Sequence, residues 1–184
     1  MNKYLKNLLL GAWVWYFGAG LFGPLYAVFA EQIGGDILEI TGAYALFLIV
    51  VGVMSIYVGR ISDHHSKKKL MIFGYLLNAI ATFGYLLVDN PLKLFAVQGL
   101  LGVAVALASP TWDSLFSSHL EKKHSGQEWG LYEGGPSIIM GVALLIGGFI
   151  LTRFNFQTLF IVMGTVQIIA TIVQFQIYRL DKKY

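Results

Sequence analysis

Cysteine does not occur in the 184 residues, which excludes a disulfide framework and any thiolate metal site. Charge is scarce as well: Asp, Glu, Lys and Arg make up only 12% of the chain. No Lys or Arg lies deep inside a long apolar run, so a buried anion would find no partner there. An unpaired charge at such depth is costly, which favours neutral or cationic ligands over anionic ones. The four histidines, His64, His65, His119 and His124, all fall in polar connections. A Ser–His pair inside the apolar runs would therefore lack its base, and we expect no catalytic residues, no metal site and no cofactor. The basic residues gather at the ends of apolar runs rather than across one face, which argues against a nucleic-acid partner.

What the chain has is apolar length. Hydrophobic residues make up 57% of it, more than a water-soluble domain of this size can bury. Six segments are each long enough to cross a bilayer, near 5–30, 38–60, 69–88, 92–118, 128–152 and 156–178. They predict an all-α membrane protein, one six-helix bundle over residues 1–184. Of the 13 Lys and Arg residues, 11 fall on one side of that topology: Lys3, Lys6, Arg60, Lys67, Lys68, Lys69, Lys122, Lys123, Arg179, Lys182 and Lys183. Glu31, Asp36, Glu39 and Asp89 fall on the other. The positive-inside bias then places both termini in the cytoplasm of a multi-pass cell-membrane protein. Lys3 and Lys6 also begin a passable signal peptide ending at Val28-Phe29-Ala30, but the apolar stretch far exceeds the roughly 7–15 residues of a signal core.

The densest charge is Gly59-Arg60-Ile61-Ser62-Asp63-His64-His65-Ser66-Lys67-Lys68-Lys69. At about 2.5–3.5 kcal/mol per buried Lys or Arg, this stretch must be a water-facing loop between spans 2 and 3. Gly59, Asp63, Lys67 and Lys68 in this position resemble the loop between helices 2 and 3 of the major facilitator superfamily of secondary transporters. His64 stands where that family usually has Arg or Lys, and Ser66 where it usually has Gly. The resemblance implies half of a major facilitator fold, six helices as two three-helix repeats. It also implies an inner gate built from Gly59, Asp63, Lys67, Lys68, Lys69 and Asp113. A full transporter has about twice as many helices. The chain begins with Met and ends in a basic tail, so a second copy is expected to supply the missing half as a parallel homodimer. The family's proton-coupled members often carry an Arg on helix 4 ahead of the glycine, where this chain has Gln98. Antiporter members carry Gly-Pro before the paired glycines of helix 5, where it has Ala143-Leu144.

Small residues form stripes at helical spacing. Span 5 carries Gly130, Gly134, Ser137, Gly141 and Gly148, and span 2 carries Gly42, Ala45, Gly52, Ser55, Gly59 and Ser62. In lipid, helices associate where small residues let backbones approach, so Gly42, Gly52, Gly59, Gly134, Gly141 and Gly148 are expected at the interface between copies. Packing inside one bundle is the competing reading. Span 4 lines up Gln98, Gly102, Ala106, Ser109, Asp113 and Ser117 on one face, and span 1 lines up Trp13, Tyr16, Gly20 and Ala27. A solute site is expected from Trp13, Tyr16, Gly20, Tyr26, Gln98, Ser109, Trp112 and Asp113, although Trp13 and Tyr16 also fit interfacial anchors. Asp113 suits structural pairing with the basic loop as well as solute or proton binding. Glu133 is either a protonatable gate residue or one reaching water. Small-residue runs ending in Pro24 and Pro110 suggest paired helix breaks around the site. Gln167, Gln174, Gln176 and Asn78 are expected to hydrogen-bond between helices at about 0.6 kcal/mol each.

These patterns point to a secondary transporter of a small neutral or cationic solute, working by alternating access. Half of a heteromeric transporter, or a membrane scaffold that moves nothing, would share most of them.

Overall fold

The computed structural model describes residues 1–121 and 123–180, with Arg179 described by its backbone alone. Lys122, Lys182, Lys183 and the Arg179 side chain, four of the expected inner-side cations, lie outside it. The described residues form helices and short connections, with no strand among them. The helices are α1 (Lys3–Gly20), α2 (Leu25–Gln32), α3 (Ile37–Ser62), α4 (Lys67–Gly84), α5 (Pro91–Ser118), α6 (Ser125–Arg153), α7 (Phe156–Phe175) and the short α8 (Ile177–Leu180). Five of them are long and apolar enough to cross a membrane, and α1 with α2 makes a sixth span bent by 45°.

Polar residues at the connections set the helix starts. Asn2, Asp36, Ser66, Asn90 and Asn155 each cap the helix that follows by accepting a backbone N–H, which satisfies one of the free amides of a first turn. Asp36 and Glu39 form a reciprocal capping box. These polar caps lie between the apolar runs and mark where each span leaves the hydrocarbon.

The spans pack in an arc, in the order α3, α5, α4, α7, α1, α6. Exchanging the first three spans with the last three maps this order onto itself. The pairs α3–α5 and α6–α1 swap, as do α4–α5 and α7–α1, while α4–α7 maps to itself. That is the contact pattern of two three-helix repeats. Glycine sets the closest approaches. A Cβ on Gly74 of α4 would lie 2.8 Å from the Ala104 carbonyl of α5, and one on Gly164 of α7 would lie 2.6 Å from the Phe83 ring of α4. The middle of the arc is therefore well buried, whereas its two ends are not. Helix α3 buries only Ala43, Val58 and Ser62, and α6 only Glu128, Ala143 and Gly147.

The two proline runs behave differently. The first breaks the span: Gly23 takes φ +29°, and Leu25, Tyr26 and Ala27 donate to carbonyls three residues back. At the second, α5 runs through Pro110 unbroken. The missing imino N–H leaves the Ala106 carbonyl, four residues back, short of a donor, while the Thr111 hydroxyl donates to the neighbouring Leu107 and Ala108 carbonyls instead. The expected pair of breaks is thus a single break, in the first span.

Candidate functional site

One cavity of ≈ 780 Å³ lies inside the arc. Helices α1 and α5 form its sides, α3 and α6 its flanks, and α4 and α7 its floor. Of the eight residues expected to bind a solute, Trp13, Tyr16, Tyr26, Gln98, Ser109, Trp112 and Asp113 line it together. Spacing brings them there: residues three and four apart on α5 share one face, which runs from Gln98 through Leu101 and Val105 to Ser109 and Trp112, whereas Gly102 of the expected stripe packs against Val50 of α3. Gly20 is not among the lining residues. It lies in the α1–α6 contact, where a Cβ would sit 2.8 Å from the Met140 Cα.

Aromatic side chains dominate the walls. Trp15, Phe22, Tyr44, Phe47, Tyr75 and Tyr132 join the tryptophans and tyrosines already named. Among the described residues, Asp113 is the only carboxylate in the lining, and no Lys, Arg or His belongs to it. Its Oδ1 accepts a hydrogen bond from the Tyr132 hydroxyl of α6 at 2.8 Å. Tyr16 lies within electrostatic reach of the same carboxylate. Towards the other end, the Tyr26 hydroxyl donates to the Ile40 carbonyl at 3.2 Å, and the Gln98 amide is a second partner of that hydroxyl. The Tyr26 and Gln98 contacts tie α2 to α3 and α5 above the cavity, just beyond the break.

The residues expected at the gate fall into two groups. Asp63, Lys67 and Lys68 share a separate recess of ≈ 540 Å³ with Ser62, His65, Ser66, Leu115 and Tyr178. The Lys67 ammonium donates to the Ser114 hydroxyl at 2.6 Å, and Lys68 stands over the Tyr4 ring. Lys69 is exposed, and Gly59 faces open space. Asp113 does not join this group. Successive residues on a helix point about 100° apart, so Ser114 faces the basic loop while Asp113 faces the cavity and Tyr132. Glu133 is exposed and outside the lining, although within electrostatic reach of Asp113.

The glycines expected between copies divide in the same way. Nothing lies within 4 Å of a Cβ built on Gly52, Gly134, Gly141 or Gly148, and Gly59 has the same open surroundings. Gly42 is used inside the chain, with its Cβ position 3.1 Å from the Phe95 ring of α5.

Sequence reasoning missed Trp15, Tyr75, Asn78, Tyr132 and Gln167 as lining residues. Gln167 does bond between helices, to the Trp15 carbonyl at 3.1 Å. Gln174 likewise reaches the Leu8 carbonyl and the Tyr75 hydroxyl. Tyr132 carried a usable signal: it lies next to Glu133 at the depth of Asp113, one helix away.

The comparisons with known proteins agree with this architecture. The chain is 26% identical over 95% of its length to an uncharacterized MFS-type transporter of Methanocaldococcus jannaschii, of which it covers 46%. It is 21% identical over 79% of its length to the uncharacterized MFS-type transporter YitZ of Bacillus subtilis, covering 88% of that protein. It is 28% identical over 92% of its length to the multi-drug resistance efflux pump PmrA of Streptococcus pneumoniae, covering 42% of it. The chain thus spans a little under half of the first and third of these relatives. The pattern of one family matches residues 8–183, and with its all-α arc of membrane-length helices the chain belongs to the Major Facilitator Superfamily.

Proposed function

We propose that this multi-pass membrane protein is a subunit of a secondary transporter for a small neutral or cationic organic solute, bound in the cavity between α1 and α5. The observation that carries the reading is the lining itself: among the described residues it has aromatic walls, one carboxylate and no basic side chain. Aromatic faces attract cations through the ring quadrupole, and Asp113 adds a charge in a site that has no competing ammonium. Of the relatives, PmrA is named as a multi-drug resistance efflux pump, which is compatible with a broad organic solute. The cavity is bounded by one chain's arc only, so a second bundle is needed to enclose a solute. We assign that role to a second copy, inserted in parallel with both termini in the cytoplasm, and alternating access to rocking of the two bundles about the shared site. YitZ, a transporter by name of which this chain covers 88%, is of comparable length, which is compatible with transport by a chain of this size. In this assembly Asp63 and Lys67–Lys69 close the inner side.

Flux through reconstituted protein tests the reading. Vesicles containing the purified chain are expected to take up or release ethidium faster than protein-free vesicles, with and without an imposed pH gradient. Asp113→Asn is expected to slow that flux at least about tenfold, the scale of one lost charge-assisted contact. Flux indistinguishable from protein-free vesicles under every gradient would leave a scaffold as the better description.

A further inference from the structure

The floor of the cavity contains a buried polar atom with no partner. Gln167, on α7, is 2% exposed and lines the cavity. Its Nε2 donates to the Trp15 carbonyl. A carbonyl only accepts, so the amide nitrogen must face it and the oxygen must face away. Gly18 permits this placement, since a Cβ there would lie 2.7 Å from Nε2. The Gln167 Oε1 is then buried without any donor. The Tyr75 hydroxyl, also of the floor, accepts from Gln174 Nε2 at 3.1 Å, and the Trp15 ring stands edge-on to Tyr75 with centroids 4.2 Å apart. Tyr75 is also within electrostatic reach of Asp113. A buried acceptor left unsatisfied carries its full desolvation penalty until a donor arrives, and the side chain that carries this one lines the cavity.

Resting on the reading of that cavity as the solute path, we propose that Gln167 Oε1 is an acceptor subsite for an ammonium head that carries N–H donors. Asp113 and the aromatic walls attract organic cations of any kind. Gln167 adds a requirement that charge alone does not meet. A trimethylated head keeps its charge and its attraction to the rings, but has no proton to give and leaves the acceptor unpaired. A site built to satisfy a hydrogen bond rejects the analogue that lacks it. The chain therefore selects primary amines over quaternary ones of the same body.

Trp13, Trp15 and Trp112 line the cavity, so ligand entry is readable as a change in tryptophan emission of the purified protein, without any flux. The probes are phenethylammonium and its N,N,N-trimethyl counterpart. Wild-type protein is expected to bind the primary amine about tenfold more tightly. Gln167→Leu is expected to weaken the primary amine by about that factor and to leave the trimethyl probe within about twofold. Gln167→Met, closer in length and also without an acceptor, replaces it if the Leu variant does not fold. Equal affinities in wild type, a preference that survives both substitutions, or no response to either probe would overturn the proposal. Discrimination by emission together with absent flux of both probes would uphold the subsite and sink the transport reading instead.

Discussion

Gly147 and Gly148 are neighbours on α6 with opposite surroundings. A Cβ on Gly147 would meet the Leu21 carbonyl oxygen at the end of α1, while one on Gly148 would meet nothing within 4 Å. Leu25 donates to Phe22 rather than to Leu21, so the Leu21 carbonyl at the break is covered by the Gly147 backbone rather than by a helical amide. Gly147→Ala is expected to destabilise the purified protein by about 2–3 kcal/mol or more, as overpacking against rigid backbone does. Gly148→Ala is expected to be neutral in the same thermal-unfolding assay. Equal shifts for the two would show that α1 and α6 do not pack as described. At the other end of the scale, Asp89 is fully exposed, and its carboxyl is held below the usual carboxylate range by the hydrogen bond from Lys93. A folded-state value below the unfolded one stabilises above the unfolded value and is lost as pH falls through the folded one. Asp89→Asn is thus expected to lower the unfolding midpoint slightly at pH 7, and by progressively less as pH falls below the ordinary carboxylate range.

At the scale of elements, the break between α1 and α2 rests on Gly23 in the left-handed region, which costs an L-residue roughly 1–2 kcal/mol. Gly23→Ala should lower thermal stability by about that much, whereas Pro110→Ala, in a helix already continuous, should leave it unchanged or raise it; a silent Gly23→Ala would mean the bend is not set there. The contrast between these prolines shows what sequence can and cannot carry. The spans were legible because each needs a long apolar run with polar caps such as Asp36 and Ser66 at its ends. The α5 face through Gln98, Ser109 and Asp113 was legible because helical spacing alone defines it. The effect of Pro110 was not, because it depends on how closely neighbouring helices hold that turn, and Gly74 of α4 lies tight against Ala104 and Ala108. Gln167 was half legible: a Gln in a span predicts an interhelical bond, but one amide has two ends, and only its bond to the Trp15 carbonyl shows which end remains unpaired. Asp113 carried two expectations, pairing with the basic loop on resemblance and a place in the solute site, and its one-residue offset from Ser114 sets it in the cavity lining beside Tyr132.

For the whole molecule, the arc leaves both ends uncovered, and the order of glycines along those ends says how a second copy would fit. Helix α3 runs from the Asp36 end towards the basic loop, and α6 runs back. Gly52 lies 15 residues into α3 and Gly141 lies 12 residues before the end of α6, so at about 1.5 Å per residue their depths agree within one turn. Gly59 and Gly134 match in the same way, 22 and 19 residues from that side. A twofold axis along the membrane normal would set α3 of one copy against α6 of the other with these pairs facing, and it requires both copies to insert in one orientation. Bridging needs Cα atoms within about 7 Å, a distance small residues permit. With no native Cys in the chain, Gly52→Cys in one tagged copy and Gly141→Cys in another are expected to form a mixed disulfide in native membranes. Gly59→Cys with Gly134→Cys should do the same. Ile161→Cys and Ile168→Cys, exposed on α7 at the back of the arc, should not link to any of these. Mixed bridges only between mismatched depths would point to an antiparallel pair, which cannot enclose the cavity. Bridges that form as readily from α7 would mean random collision, leaving the open flanks of α3 and α6 to lipid or to a different chain.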